Sequence, residues 1–430
     1  MAKTYRPYCP EQDLLLPPSL QDWLPEGHLA YFVSDVVDQL DLSAIESYYE
    51  KEERGYPPYH PRMMVKILVY GYCVGVFSSR KLQKRLQEDV GFRVLAAGNQ
   101  PDFRTLSDFR KLHLTILQGL FEQVLQMALE IGAVKVGRVA IEGSKIKANA
   151  SKHKAMSYGR MKEDQKRLKQ EVQKLLDEAE RVDAEEDARY GDRSGEELPS
   201  ELQRREERLR RIRQAKRALE ERAREQAAAQ GQDTDQVKPE EKAQYNFTDP
   251  ESRIMKGPEG FVQGYNAQVA VEAETQLIVG QAVTQAANDK QQLIPMLDQV
   301  EQQSGQKPEE VLADSGYASE ANLQTVKDRE VEAYIAVARD KHDKRQAQSP
   351  RGPIPKGATL LDRMRRKLKT KVGREIYARR KTIVEPVFGQ IKQAQGFRQF
   401  LLRGLNKVQG EWALVCMAHN LLKVHRMVYN

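Results

Sequence analysis

Apolar runs between Leu29 and Ile131, divided by Ser, Gly and Pro, predict a unit of short helices. Pro61 opens the run "RMMVKILVYGYCVGVF", Ser78 and Ser79 stand as N-caps before "RKLQKRLQEDVGF", and "NQPDF" leads into "TLSDFRKLHLTILQGLFEQVLQMALEIGA". The rhythm then changes to period two. In "GRVAIEGSKIKANAS", Gly137 to Ser151, Val139 and Ile141 alternate with Ala140 and Glu142, which predicts a strand carrying a carboxylate on its open face. From Ser157 to Gln236 the chain is rich in Lys, Arg, Glu, Gln and Ala. Leu168, Val172, Leu175, Ala179 and Val182 keep a heptad-like stripe there, and Leu202, Leu209, Ile212, Leu219 and Ala223 form a second. With the turn-like "YGDRSGEELP" between them, the two stripes predict an antiparallel helical hairpin inserted into a domain.

After the insertion, "GFVQGYNAQVAVEAE" and "LIVGQAVTQ" read as strands, followed by a helix "DKQQLIPMLDQVEQQSG", a strand "EVLADSG", a helix "SEANLQTVKDR" and a strand "VEAYIAVAR". The polar connection "RQAQSPRGPIPKGA" leads into basic helices. This order predicts a ribonuclease-H-like mixed α/β sheet interrupted by the hairpin and preceded by an all-α DNA-binding unit. The expected boundaries are 1–134 for the helical unit and 135–430 for the α/β unit, with 157–236 as the insertion.

At 430 residues the chain is long enough for two or three folded units, and its net charge of +7 is unevenly placed. Arg339 to Lys407 holds 20 Lys and Arg against 5 Asp and Glu, an excess that suits a polyanion. No apolar run is long enough for a membrane helix, and the N-terminus lacks a signal-peptide apolar stretch, so a cytoplasmic, DNA-associated protein is expected. Cys9, Cys73 and Cys416 lack CxxC spacing and the histidines form no HxxH pair, which points away from zinc and towards reduced thiols.

Three acids stand at element ends: Glu142 on the first strand, Asp314 where "VLAD" meets "SGY", and Glu385 within "IYARRKTIVEPVFGQIKQAQGF". In a ribonuclease-H-like order the first and fourth strands are neighbours, so Glu142 and Asp314 should lie side by side, with Glu385 brought over them by its helix. Crowded carboxylates repel unless a divalent cation neutralises them, and oxygen ligands favour Mg²⁺ or Mn²⁺. Two such ions suit phosphodiester chemistry. On a helix, Tyr377, Lys381, Phe388 and Lys392 fall on the arc of Glu385, while Ile383, Val384, Val387 and Ile391 form an apolar stripe. Lys381 and Lys392 would hold DNA phosphates, and Tyr377 would stack on a base or sugar. Pro386 should kink or restart that helix. Lys145 and Asn149 are further phosphate candidates, and Arg80 and Lys84 are DNA contacts of the helical unit. "GYNAQ", at Gly264 to Gln268, either sends polar side chains towards the site or marks a glycine bulge. His419 reads as a buried hydrogen-bonding residue.

The phrases "SKIKANASKHKAMSYGRM", "YNFTDPESRIMK", "GFVQGYNAQVAV", "ANDKQQLIPML", "VLADSGYAS", "TIVEPVFGQIK" and "CMAHNLLKV" together resemble bacterial insertion-sequence transposases of the DDE type, in the branch often numbered eleven-eighty-two. The resemblance implies metal-dependent cleavage and strand transfer at the terminal repeats of a mobile element. Asp314 and Glu385 would be the second and third catalytic acids, and Lys381 and Lys392 would fill the basic positions of the family's Tyr-Arg-Glu-Lys signature. Where the family has Asp-Gly-Thr, this chain has "EGS", so Glu142 takes the first position. The partners implied are double-stranded DNA, as element ends and as target, and a second copy of the chain; neither a membrane nor a small-molecule substrate is expected. The alternative is a DNA-binding protein of transposase ancestry that no longer cuts because Glu142 spoils the first metal position.

Overall fold

The computed structural model describes residues 19–51, 57–190, 200–229, 231–234, 237–257, 260–337, 350, 352–355 and 357–429. Cys9, the hairpin tip at 191–199 and most of the connection at 338–351 lie outside them.

The N-terminal segment forms helices α1 (Leu29–Gln39), α2 (Ser43–Tyr49), α3 (Pro61–Cys73), α4 (Ser79–Glu88), α5 (Val90–Leu95), α6 (Phe103–Leu112) and α7 (Leu114–Glu130). Local chemistry sets their starts. Pro61 occupies the first turn of α3, where its missing N–H costs nothing, and the Asp102 carboxylate accepts the N–H groups of Arg104 and Thr105 at the start of α6. Ser78 precedes α4 in extended conformation, but its side chain makes no capping bond.

Six strands form the main sheet: β1 (Arg138–Lys147), β4 (Arg253–Gly257), β5 (Gly260–Glu272), β6 (Ile278–Thr284), β7 (Glu310–Ala313) and β8 (Glu332–Ile335). β1 runs antiparallel to β5 and parallel to β7, and β7 runs parallel to β8. β5 also pairs antiparallel with β4 through its first half and with β6 through its second. Reading across through β6, β5, β1, β7 and β8, the chain is mixed α/β in an order consistent with a ribonuclease-H-like sheet. β1 departs from simple alternation, because Val139, Ala140 and Ile141 are all fully buried. Both faces of the sheet are covered there, as in the interior of an α/β sheet. Helices α10 (Leu293–Ser304), α11 (Glu320–Asp328), α12 (Leu360–Lys369), α13 (Lys371–Gly389) and α14 (Leu405–Tyr429) pack on the sheet or on one another.

The charged segment folds as α8 (Tyr158–Tyr190) and α9 (Ser200–Ala229), which pack against each other. A two-stranded ribbon of β2 (Ala155–Ser157) and β3 (Gln244–Asn246) closes their base. Leu168, Leu209, Ile212 and Leu219 join Tyr158, Met161 and Ala215 in a small core of their own. The side chains of Ala179, Val182 and Leu202 lie outside the described residues.

One hydrophobic cluster runs from the N-terminal helices into the sheet. α14 joins them, packing on α3 and α7 as well as on β6. At Gly75, between α3 and α4, a Cβ would lie 2.5 Å from the Gln395 carbonyl oxygen, and Phe77 meets Phe397 edge to face at 5.1 Å. The helical unit therefore touches the segment that follows α13.

Candidate active site

Parallel pairing aligns Ile141 with Ala313, so Glu142 and Asp314 stand side by side. Asp314 follows the last residue of β7, whereas Glu142 is not at an element end, because β1 continues past it to Lys147 through its pairing with β5. Asp314 caps the turn Ser315–Tyr317, its Oδ1 accepting the Gly316 N–H at 2.7 Å. Opposite, Glu142 pairs with Val269 of β5, and the polar face of that strand presents Asn266 and Gln268. Their amides donate to Oδ1 of Asp289 at 2.5 and 2.8 Å, and Lys145 Nζ lies 3.3 Å from the same oxygen. The sequence places Asp289 at the opening of a helix. Instead α10 begins at Leu293, leaving Asp289 in the turn after β6, where it faces β1.

The acids press on one another. Burial pushes the Glu142 carboxyl up to about 7; Arg380 counters that shift, and the charges of Asp314 and Asp289 add to it. Arg380, on α13 and buried, forms an ion pair with Glu142. Tyr377 stands one turn before Arg380, and burial raises its hydroxyl pKa. Lys392 Nζ donates to the Ser144 hydroxyl and lies 5.5 Å from the centre of the Phe388 ring. Burial lowers the Lys392 pKa, with Arg398 adding to the effect.

Glu142, Asp314, Lys145, Tyr377 and Lys392 are thus gathered around the central β1–β7 pair, joined by Asp289 and Arg380. Glu385 and Lys381 stand exposed on α13, and Glu385 pairs with neither Lys381 nor Lys392. Pro386 neither stops nor restarts the helix: α13 continues to Gly389, and the irregularity falls one turn later as a π turn over Gln390–Ala394. Arg80 and Lys84 are exposed on α4, Arg80 over the Phe103 ring at 5.1 Å and Lys84 3.7 Å from Glu88. Asn149 donates to the Leu401 carbonyl at 2.6 Å, a loop-fixing role. Gly264 makes no bulge. It pairs regularly with Lys147, and a Cβ there would overlap the Ile146 carbonyl. His419 is buried against the Gln276 carbonyl at 3.1 Å.

Arg380 and Asp289 were missed by the sequence reading. In the helical frame Arg380 falls among Ile383, Val384, Val387 and Ile391, and a cation on a packing stripe needs a buried partner; that was the available signal. Asp289 stands in the family-like phrase "ANDKQQLIPML", but its placement against β1 is set by β5 and β6.

The donor set suits a hard divalent cation, since the converging ligand atoms are carboxylate oxygens. Two local features fit as well. Gly316 leaves a cradle where a Cβ would lie 2.9 Å from Asp314 Oδ1 and 3.4 Å from Asp289 Oδ2, and Asn266 Oδ1 is fully buried without a hydrogen-bond partner. Among the described residues no three acidic, histidine or cysteine side chains form a closed metal cage in this arrangement; Arg380 engages Glu142 and Lys145 engages Asp289. Also among them, no helix is long and apolar enough to cross a membrane.

Residues 233–421 match the family model described as "Transposase DDE domain", and residues 18–112 match "Transposase domain (DUF772)". No curated protein and no solved structure gives a significant match. The first matched span contains Asp289, Asp314, Arg380, Glu385 and Lys392, whereas Glu142 and Lys145 lie outside both matched spans. The chain belongs to the DDE transposases of insertion sequences.

Proposed function

We propose that this transposase cleaves the terminal repeats of its insertion sequence and joins them to target DNA, with Glu142, Asp314 and Glu385 as its catalytic, metal-holding acids. The observation that supports the reading is the side-by-side placement of Glu142 on β1 and Asp314 at the end of the parallel β7, with the Glu142 pKa raised by burial first and by the charges of Asp314 and Asp289 second. Mg²⁺ or Mn²⁺, as a pair of ions, would supply Lewis acidity for the attacking water or 3′-hydroxyl and for the leaving oxygen. Lys392 and Lys145, beside the acids, would hold DNA phosphates, and Tyr377 would support the sugar or base. Lys381, exposed on α13, would reach phosphate further out. The helical unit, within 1–134, would bind element ends through Arg80 and Lys84, and residues 135–430 would hold the chemistry, with 157–236 as the insertion. A homodimer would pair the two ends.

One observation favours a second reading, a DNA-binding relative that does not cut. Arg380 pairs with the longer Glu142 where the family carries aspartate, and a guanidinium there competes with metal. Purified protein is incubated with supercoiled plasmid carrying the DNA that flanks the gene, in Mg²⁺ or EDTA, beside Asp314→Asn and Glu142→Asp. Metal-dependent nicking by the parent that disappears in Asp314→Asn is expected. No nicking by the parent, with nicking by Glu142→Asp, would establish the second reading.

A further inference from the structure

We infer that Asp289 is a further metal-holding acid of this site, presenting its Oδ2 to a divalent cation shared with Asp314. The inference rests on the metal-dependent reading above and adds to it a residue that no part of the acid signature includes. Three donors, from Asn266, Gln268 and Lys145, converge on Oδ1. Among the described residues none takes Oδ2. That oxygen faces the Asp314 turn across Gly316, the one place where the absence of a Cβ lets the two carboxylates approach: a Cβ would sit 2.9 Å from Asp314 Oδ1 and 3.4 Å from Asp289 Oδ2.

The surrounding hydrogen bonds orient the group. A carboxylate only accepts, so the Gln268 amide must turn Nε2 towards Asp289 at 2.8 Å. Its Oε1 is then left to accept from the Tyr317 hydroxyl, on the turn that Asp314 caps. Trp412 Nε1 donates to the Gln268 carbonyl at 3.1 Å and holds that stretch of β5 from α14. Asp289 and Asp314 are therefore tied through Gln268 and Tyr317 into one frame. Asn266 adds an independent sign: it is wholly buried, its amide nitrogen is used on Asp289, and its Oδ1 lacks a partner 2.9 Å from the Cβ position that Gly143 leaves empty. An orphaned oxygen beside a carboxylate with a free oxygen suits a cation or its bound water.

Asp289→Asn is a selective test, because asparagine keeps an oxygen for the three donors and replaces only Oδ2 with an amide. Mn²⁺ binding to the full-length protein without DNA is followed by electron paramagnetic resonance of the free ion, beside Asp314→Asn and Lys145→Gln, with thermal unfolding as the check on folding. The expected result is Mn²⁺ affinity at least about 10-fold weaker in Asp289→Asn at an unchanged melting temperature. Tighter binding is expected in Lys145→Gln, which removes the cation competing for Asp289. If Asp314→Asn loses Mn²⁺ while Asp289→Asn binds it like the parent, the role of Asp289 is overturned and the wider reading stands. Parent-like binding in Asp314→Asn as well would overturn both. Should Asp289→Asn unfold, Lys145→Gln decides: unchanged or weaker affinity refutes the proposal.

Discussion

Glu411, fully buried on α14, anchors the chain as it returns from α13, and Glu411→Gln should change how the protein's stability depends on pH. Its carboxylate accepts the N–H of Leu401 at 2.9 Å and that of Leu402 at 3.0 Å, and Asn149 grips the Leu401 carbonyl from the other side. Burial pushes its pKa from 4.5 to about 7, against the two backbone N–H groups and Arg110, which favour the charged form. The folded state therefore holds a proton that the unfolded state has released. This stabilisation is present below pH 4.5 and is lost as pH rises through 7. A shift of roughly 2.5 units at 1.36 kcal/mol each gives about 3 kcal/mol across that window. Glutamine keeps one oxygen for both N–H groups and does not titrate. Urea unfolding of parent and variant at half-unit steps from pH 5 to 8 isolates the group, because other titrating groups cancel in the difference. The variant's stability relative to the parent should rise by about 2 to 3 kcal/mol over that range. A flat difference would refute the assignment of Glu411 as a buried acid that must ionise in place.

The buried imidazole of His419 acts with the opposite sign. Burial lowers its pKa from 6.5 to about 4 while its Nε2–H donates to the Gln276 carbonyl, so its contribution is complete above pH 6.5 and is lost as pH falls towards 4. His419→Gln should remove about 3 kcal/mol of acid sensitivity, measured by the same unfolding series from pH 6.5 to 4. Gly264→Ala should cost about 3 kcal/mol or more, because the added methyl meets the Ile146 carbonyl, with its carbon 3.1 Å away and its oxygen closer, and neither strand of a central pair can yield. Thermal unfolding checks this, and a parent-like melting temperature would mean that β1 and β5 are not so closely apposed.

Much of this architecture is local and was legible in the sequence. The strand-forming run through Ile141, the apolar stretch ending at Ala313 and the helical stripe of Ile383, Val384, Val387 and Ile391 each reflect a residue's own neighbours, although the alternation expected at Val139–Ile141 gave way to burial of all three residues. Pairing Glu142 with Asp314 needed only one further rule, that the first and fourth strands of such a sheet lie side by side. The placement of Pro386 was less local. Its missing N–H predicted a break at the residue, yet α13 runs on through packed Val387 and Phe388 and relaxes at the π turn after Gly389, because burial outweighs one lost hydrogen bond.

The sequence by itself determined most of the elements and their order, and it placed Asp314 at the end of its strand; β2, β3 and β4 were not read from it, and Glu142 and Glu385 lie within β1 and α13 rather than at their ends. Which charges meet was decided only by tertiary structure. Arg380 reaches Glu142 across 238 residues, and Lys145 reaches Asp289 across 144. Strand register and helix packing set those meetings, and both depend on burial summed over the whole sheet, which no short window of the chain contains.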